Sequence, residues 1–440
     1  MRPPWPAKVK GPTCSHSSAT KWIVASRGAW SLMRQPNMRV PLPAGLWGAG
    51  SCGTLGPMPR SRRALLVIVL AAGCSSSGPG QRTPDAVTST ARAPAIDHGA
   101  GLTRTADIAE PRASHTATLL ADGTVLIAGG FRKGPDGRSQ LYSSSAEIYD
   151  PTTRSFHATS PLVGARCGHT ATVLADGKVL LAGGFDDAGV TPTAELYDPA
   201  TASFTATGAM TIARGGFTAT LLPRGDVLFI GGGDEDAAMP GSEVYHPGTG
   251  RFTTGPALRQ GRVGHTATSL ADGRVLVIGG STRRATVTAT AEVHVPGSAE
   301  FTAVGELSIP RYKHAATLLA SGQVLVIGGS DERDWQGKYA SAELFDPAAG
   351  AFVRTMGLRS ERFKLANSVA TLADGRVLIA GGSRELETFD VTSAVFMPAG
   401  QMDVANYYAT TTALPGGGAL IVGGYDDRVR TSSSAWLFAG

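Results

Sequence analysis

Along most of the chain, apolar and polar residues alternate in short runs with a period of two, the spacing of strands and not of helices. The run HTATLL (115–120) alternates in this way, and VLIA (125–128) follows it as an unbroken apolar stretch. The first predicts a half-buried strand and the second a strand covered on both faces. Between them, Asp122-Gly123 suits a two-residue hairpin turn with positive φ. SAEIYDP (145–151) predicts a third strand, and Phe156, seven residues after Tyr149, opens a fourth.

This pattern repeats. RASHTATLLADGTVLIAGG (112–130) returns at 166–184, 214–232, 262–280 and 311–329, and in weaker form at 364–382 and 406–424. Its Gly-Gly pairs start at 129, 183, 231, 279, 328, 381 and 423, a period of 42 to 54 residues. Four antiparallel strands in a unit of this length make one propeller blade. An all-β, seven-bladed β-propeller is therefore predicted over 101–440. The seventh unit stops at its third strand, SSSAWLFAG, whereas GLTRTADIAEPR (101–112) matches the fourth-strand segment FTATGAMTIAR (204–214). The N-terminal strand is thus predicted to complete the last blade and leave no open sheet edge.

A Gly-Gly pair ending the second strand, then a Tyr and a large aromatic with six residues between, resembles the kelch repeat, with Phe where Trp is usual. The resemblance covers 101–440. Kelch propellers include the central domain of galactose oxidase. That likeness would imply a Tyr-His pair on the first strand, a copper Tyr crosslinked to a Cys, and another His. Here Ser114, Gly168, Gly264 and Lys313 precede the histidines, and Cys167 is the only cysteine of the repeat region. No copper radical site, metal or cofactor is expected on these grounds. Nor is there an HExxH, GxSxG, P-loop or paired-carboxylate motif.

Charge narrows the partners. Of 40 Lys and Arg, ten fall in residues 1–73, which hold no Asp or Glu, so the rest carries 30 against 35 acidic side chains. The basic balance belongs to the leader, and no nucleic-acid footprint is expected on the body. From Met58 the chain reads MPRSRRALLVIVLAAGCSSSGPG: charged residues, a short apolar run, small residues, then Cys74. This resembles the lipobox of bacterial lipoproteins, with Ala71 where Leu is usual. It implies a signal peptide at 58–73, lipidation of Cys74, and a Ser/Gly/Pro-rich tether at 74–100. Residues 1–57 are expected to be a mis-called leader, with translation starting at Met58. The expected location is the cell envelope, with Ser75 favouring the outer membrane, or outside the cell; the lipid would be the only membrane contact.

Repetition separates blade-building residues from free ones. An Arg opening the first strand recurs with a Glu in the third: Arg112 with Glu147, Arg166 with Glu195, Arg214 with Glu243, Arg262 with Glu292, and Arg311 with Glu343. In the sixth unit Lys364 or Arg362 accompanies Glu387; in the seventh Asn406 and Trp436 replace both. Joint loss suggests ion pairs, while a ring of arginines at a channel mouth is also a candidate ligand site. His115, His169, His265 and His314 recur at one position, where Phe217 also fits, and read as packing residues. Between Gly-Gly and Glu the loop varies from 4 to 16 residues, concentrating variation on one face. That face carries the acidic candidates Asp186, Asp187, Asp234 and Asp236 together with Trp335. Tyr312, Lys313, Tyr407 and Tyr408 are expected near the same mouth. The resulting expectation is a non-catalytic propeller that binds a protein or glycan outside the cytoplasm. The alternative is a carbohydrate-modifying or degenerate oxidase-type enzyme working at the channel mouth.

Overall fold

The computed structural model describes residues 99, 101–234, 237–282 and 286–440. Cys74, Asp236, and the leader, signal and tether segments (apart from Gly99) lie outside the described residues. The described residues form seven four-stranded antiparallel sheets, with two further two-stranded hairpins. In the first, Thr116–Leu119, Val125–Ala128, Ala146–Asp150 and Ser155–Ala158 follow one another from the innermost strand outward. Each innermost strand lies against that of the next blade, and the seventh lies against the first, which closes a ring. The chain is thus an all-β, seven-bladed propeller.

The apolar second strands supply the core. Val125–Ala128, Val179–Ala182, Val227–Ile230 and Val275–Ile278 are buried along their whole lengths, as expected of strands covered by a blade on either face. The aromatic of the third strand meets the aromatic of the fourth in direct cross-strand register. Tyr149–Phe156, Tyr197–Phe204 and Tyr245–Phe252 have ring centroids 4.8–4.9 Å apart. This pairing explains the recurring seven-residue spacing.

Closure of the ring uses the N-terminal strand. Leu102–Arg104 pairs with Ala435–Phe438, and Leu102 sits opposite Phe438, in the slot that Phe156 fills in the first blade. Ile108 is buried and its N–H donates to Ser433 O at 2.9 Å. Removing residues 101–109 exposes the edge of Ala435–Phe438 together with Trp436 and Phe438. We expect a large fall in melting temperature for this deletion, read by calorimetry; unchanged melting would contradict closure by this strand.

The recurring Arg and Glu are interior ion pairs. Nη2–Oε1 distances are 2.9 Å for Arg112–Glu147 and Arg166–Glu195, 2.8 Å for Arg214–Glu243, 2.6 Å for Arg262–Glu292, and 2.9 Å for Arg311–Glu343. In the sixth blade Arg362, and not Lys364, holds Glu387 at 2.7 Å. Asn406 and Trp436 occupy the equivalent slot of the seventh, where Asn406 Nδ2 lies 3.3 Å from Met402 Sδ.

Candidate functional site

The turn before each innermost strand lies at one end of the channel, and hydrogen bonds pass from blade to blade around it. Gly168 N–H donates to Ser114 O, Gly264 to Gly216 O, and Lys313 to Gly264 O at 2.8–2.9 Å; Tyr408 donates to Lys364 O at 3.3 Å and Ser114 to Tyr408 O at 3.1 Å. This stitching needs a left-handed residue two places after the arginine position. Glycine meets the need in three blades, Gly168, Gly216 and Gly264, with φ of 59–62°. The other four blades place Ser114, Lys313, Lys364 and Tyr408 there, at φ 52–58°. A side chain in this conformation costs about 1–2 kcal/mol. Three adjacent blades therefore hold Lys313, Lys364 and Tyr408 against a backbone preference that glycine would satisfy. Such strain is a mark of functional positions.

Lys364 is the centre of the group. It is 4% exposed, and its Nζ lies 4.6 Å from the ring centroid of Phe363, 5.5 Å from Tyr425, 5.9 Å from Tyr408 and 6.0 Å from Tyr407. Among the described residues no carboxylate stands at ion-pair distance from it. Burial pulls its pKa from 10.5 down to about 7; the charges of Lys313 and Lys338 push the same way and Asp334 opposes them. Cation–π contact offsets part of the lost hydration of the ammonium. The site thus holds an amine that exchanges a proton near neutral pH.

Around it the polar groups are ordered. Lys313 Nζ is 2.9 Å from Asp334 Oδ1 and 3.3 Å from the Tyr312 hydroxyl. Burial lowers the Lys313 pKa while Asp334 raises it. Tyr407 donates to Asp427 at 3.0 Å. Burial pushes the Tyr312, Tyr407, Tyr408 and Tyr425 phenols well above their ordinary value, so they stay protonated. A short 3-10 turn, Asp334–Gln336, carries Trp335 over the mouth, with its ring 5.3 Å from Tyr407 and 5.9 Å from Phe363. Lys338 Nζ sits 4.7 Å from the Trp335 ring centroid.

Tyr312, Lys313, Tyr407, Tyr408 and Trp335 therefore meet at one place. The arginines do not join them: Arg112, Arg166, Arg214, Arg262 and Arg311 are buried inside the blades, bound to Glu and to backbone carbonyls, so the expected arginine ligand ring is corrected. The acidic loop residues serve their own loops. Asp186 accepts from Ala188 N–H at 2.8 Å and Asp234 from Ala237 N–H at 2.9 Å, while Asp187 is exposed on the turn of a two-stranded hairpin.

Lys364, Phe363, Tyr425, Asp334 and Lys338 were not singled out as mouth residues from the sequence. The sequence leaves Lys364 and Arg362 both open for the arginine position; placing Arg362 there puts Lys364 in register with Lys313 and with the glycines. That alignment was the available signal.

The histidines bridge blades. Nε2 of His115, His169, His265 and His314 lies 3.0 Å from Thr410, Thr116, Thr218 and Thr266 respectively. Burial pulls His169 and His265 down to about 3, so these imidazoles are neutral packing groups. In the blade where Phe217 replaces His, the corresponding Thr170 hydroxyl is left without a partner. Among the described residues no group of three His, Cys, Asp or Glu is placed to hold a metal. A separate cleft of about 610 Å³ borders blades six and seven; Glu387 on its wall is held by Arg362 and Glu385 by Ser360.

No family model matches the chain, and no curated protein matches it. Among solved structures it is similar to a fungal alcohol oxidase of the AA5 family determined in complex with copper. The TM-score is 0.61 at 15% identity, over 77% of this chain and 75% of that one. This likeness establishes the propeller architecture. It also overturns the expectation of a non-catalytic binding module, which rests on missing catalytic motifs and one-sided loop variation: the same architecture carries an oxidase in that neighbour. The copper ligand set implied by the galactose oxidase resemblance does not fit these residues. Among the described residues the mouth offers phenols, amines and the buried Cys167, whose thiol burial pushes up to about 12, but no imidazole, because the innermost-strand histidines are turned between blades.

Proposed function

We propose that the chain is a carbohydrate-modifying enzyme whose active end is this channel mouth, with Lys364 as its acid–base group. One observation carries the reading: a lysine held at a strained position, without a carboxylate partner, with its amine poised to lose a proton near pH 7. A general base works best when its pKa lies near the working pH. In the neutral form, Lys364 Nζ takes a proton from a sugar carbon beside a carbonyl group. The aromatic faces then hold the ammonium until it returns the proton. Lys313, held 2.9 Å from Asp334, stands beside the electrons left on the substrate as a hydrogen-bond donor. The rings around Nζ keep bulk water from protonating it outside the cycle.

The test is deuterium uptake from D2O into aldoses, ketoses and sugar acids, followed by proton NMR. We expect exchange whose rate climbs through about pH 7, following the free amine. Exchange should vanish in Lys364→Arg, whose guanidinium stays charged. Equal exchange in that variant would remove Lys364 from the mechanism.

We further propose that the repeats are of kelch type and that the enzyme is displayed on the cell envelope by lipid at Cys74. Support for the anchor is the order of charged, apolar and small residues before the cysteine. Cells expressing the full chain should incorporate an alkyne-tagged fatty acid into it, and Cys74→Ala should not. Equal labelling of both would refute the anchor.

A further inference from the structure

We infer that the channel mouth takes an acidic saccharide, a sugar ring bearing a carboxylate such as a uronate, seated on Trp335 with its carboxylate between Lys338 and Lys313. The inference rests on the acid–base reading of Lys364 and names its substrate class.

Two independent features of the mouth carry it. The first is charge. The charges of Lys313 and Lys338 both act on Lys364, and of the three only Lys313 has a carboxylate at ion-pair distance, Asp334. Asp427 is engaged by the Tyr407 hydroxyl, and Asp331 by Arg333. Lys338 and Lys364 rest on aromatic rings and have no carboxylate at ion-pair distance among the described residues. A mouth lysine such as Lys338, with no carboxylate at ion-pair distance among the described residues, attracts a negatively charged ligand and raises its local concentration. The second is shape. Trp335 is 42% exposed, although Phe363 and Tyr407 pack against it. Its hold is stiff: the turn begins at Asp334, itself left-handed at φ 54° and tied to Lys313. The exposed part of this pre-positioned indole offers an apolar surface to the C–H groups of a sugar ring, and Lys338 Nζ, 4.7 Å from the ring centroid, stands beside it for the carboxylate.

The combination also suits the chemistry. A C–H bond next to a carboxylate is a poor acid because removing the proton places a second negative charge on the group. With Lys338 and Lys313 against the carboxylate, that charge is offset. The C–H bond breaks, its proton passes to Lys364 Nζ, and the electron pair moves into the carboxylate as an enediolate. Return of a proton from Lys364 restores the C–H bond, so the step needs no oxidant, reductant or second substrate.

The experiment measures binding of tetragalacturonate and of its fully methyl-esterified form to the full-length protein by calorimetry, with H-5 deuterium exchange followed on the same samples. We expect the acid to bind at least about tenfold more tightly than the ester, with the difference shrinking as salt is raised. Trp335→Ala and Lys338→Met should each weaken binding of the acid by about tenfold or more, without changing the melting temperature. Equal affinity for acid and ester, or acid binding indifferent to both substitutions, would overturn the inference. Tight, Trp335-dependent binding of the acid without H-5 exchange would uphold the substrate class and refute the acid–base role of Lys364. Lys364-dependent exchange confined to neutral sugars would uphold that role and overturn the substrate class.

Discussion

Lys364→Met is expected to abolish exchange activity and, at the same time, to make the protein more stable at pH 6. The two effects have one cause. In the unfolded chain the amine titrates near 10.5, and in the folded protein near 7. Below pH 7 both states carry the proton, and the folded state bears the full cost of burying an ammonium. Between pH 7 and 10.5 the unfolded chain retains a proton that the folded protein has shed, so the penalty fades as pH rises. A shift of this size corresponds to roughly 3–6 kcal/mol of destabilisation at low pH. Methionine keeps the length, packing and left-handed strain but removes the charge, so the comparison isolates that term. The variant should therefore unfold at higher denaturant than the parent at pH 6, and the gap should close toward pH 10. Loss of a general base typically costs 10²–10⁴-fold in rate. A variant less stable at pH 6 would assign Lys364 a packing role and contradict this account.

Breaking one interior ion pair should be the largest single loss of stability. Arg262 is fully buried; its Nη1 donates to Gly279 O and Thr290 O at 2.8 and 3.0 Å, and its Nη2 to Glu292 at 2.6 Å. The other Glu292 oxygen accepts from Arg259 N–H at 2.8 Å, so the pair ties two connections of the fourth blade together. Arg262→Met leaves Glu292 charged, buried and short of its main partner, with an expected cost of about 3–5 kcal/mol. The double variant Arg262→Met/Glu292→Leu should recover part of that loss, because it buries no lone charge. By contrast, Arg104→Ala removes exposed pairs to Asp107 and Asp403 and should cost under about 1 kcal/mol in ion-pairing terms. Urea unfolding of the four proteins checks the series; a loss from Arg262→Met no larger than that from Arg104→Ala would contradict it.

The blade plan was legible because each of its parts repeats. Period-two alternation, Asp-Gly turns and the Tyr–Phe spacing each report a local geometry, and seven copies make coincidence untenable. Ring closure was legible too, since Leu102 falls where the pattern demands an apolar fourth strand and is found opposite Phe438. The Arg–Glu pairing followed from the joint loss at Asn406 and Trp436.

What escaped was the site, for the complementary reason: its residues are departures from the repeat. Lys364 was hidden by an offset of two residues in a weak copy, where Arg362 competes for the same alignment and Leu365 takes the histidine slot. Asp334 and Lys338 sit in the variable loop, where no periodicity fixes a position. Only the ring of left-handed residues shows that Lys313, Lys364 and Tyr408 share one place and point to one mouth. The expectation of a non-catalytic module came from searching for known motifs, and a lone lysine among aromatic rings matches none of them.

The most direct test of the account is the titration of Lys364 itself, followed through its side-chain carbon resonance in lysine-labelled protein and assigned by its absence in Lys364→Met. The expected result is a midpoint near pH 7, several units below the exposed lysines. A midpoint at the ordinary value near 10.5 would show a charged lysine resting on aromatic rings, with no free amine at neutral pH and no acid–base chemistry at the mouth.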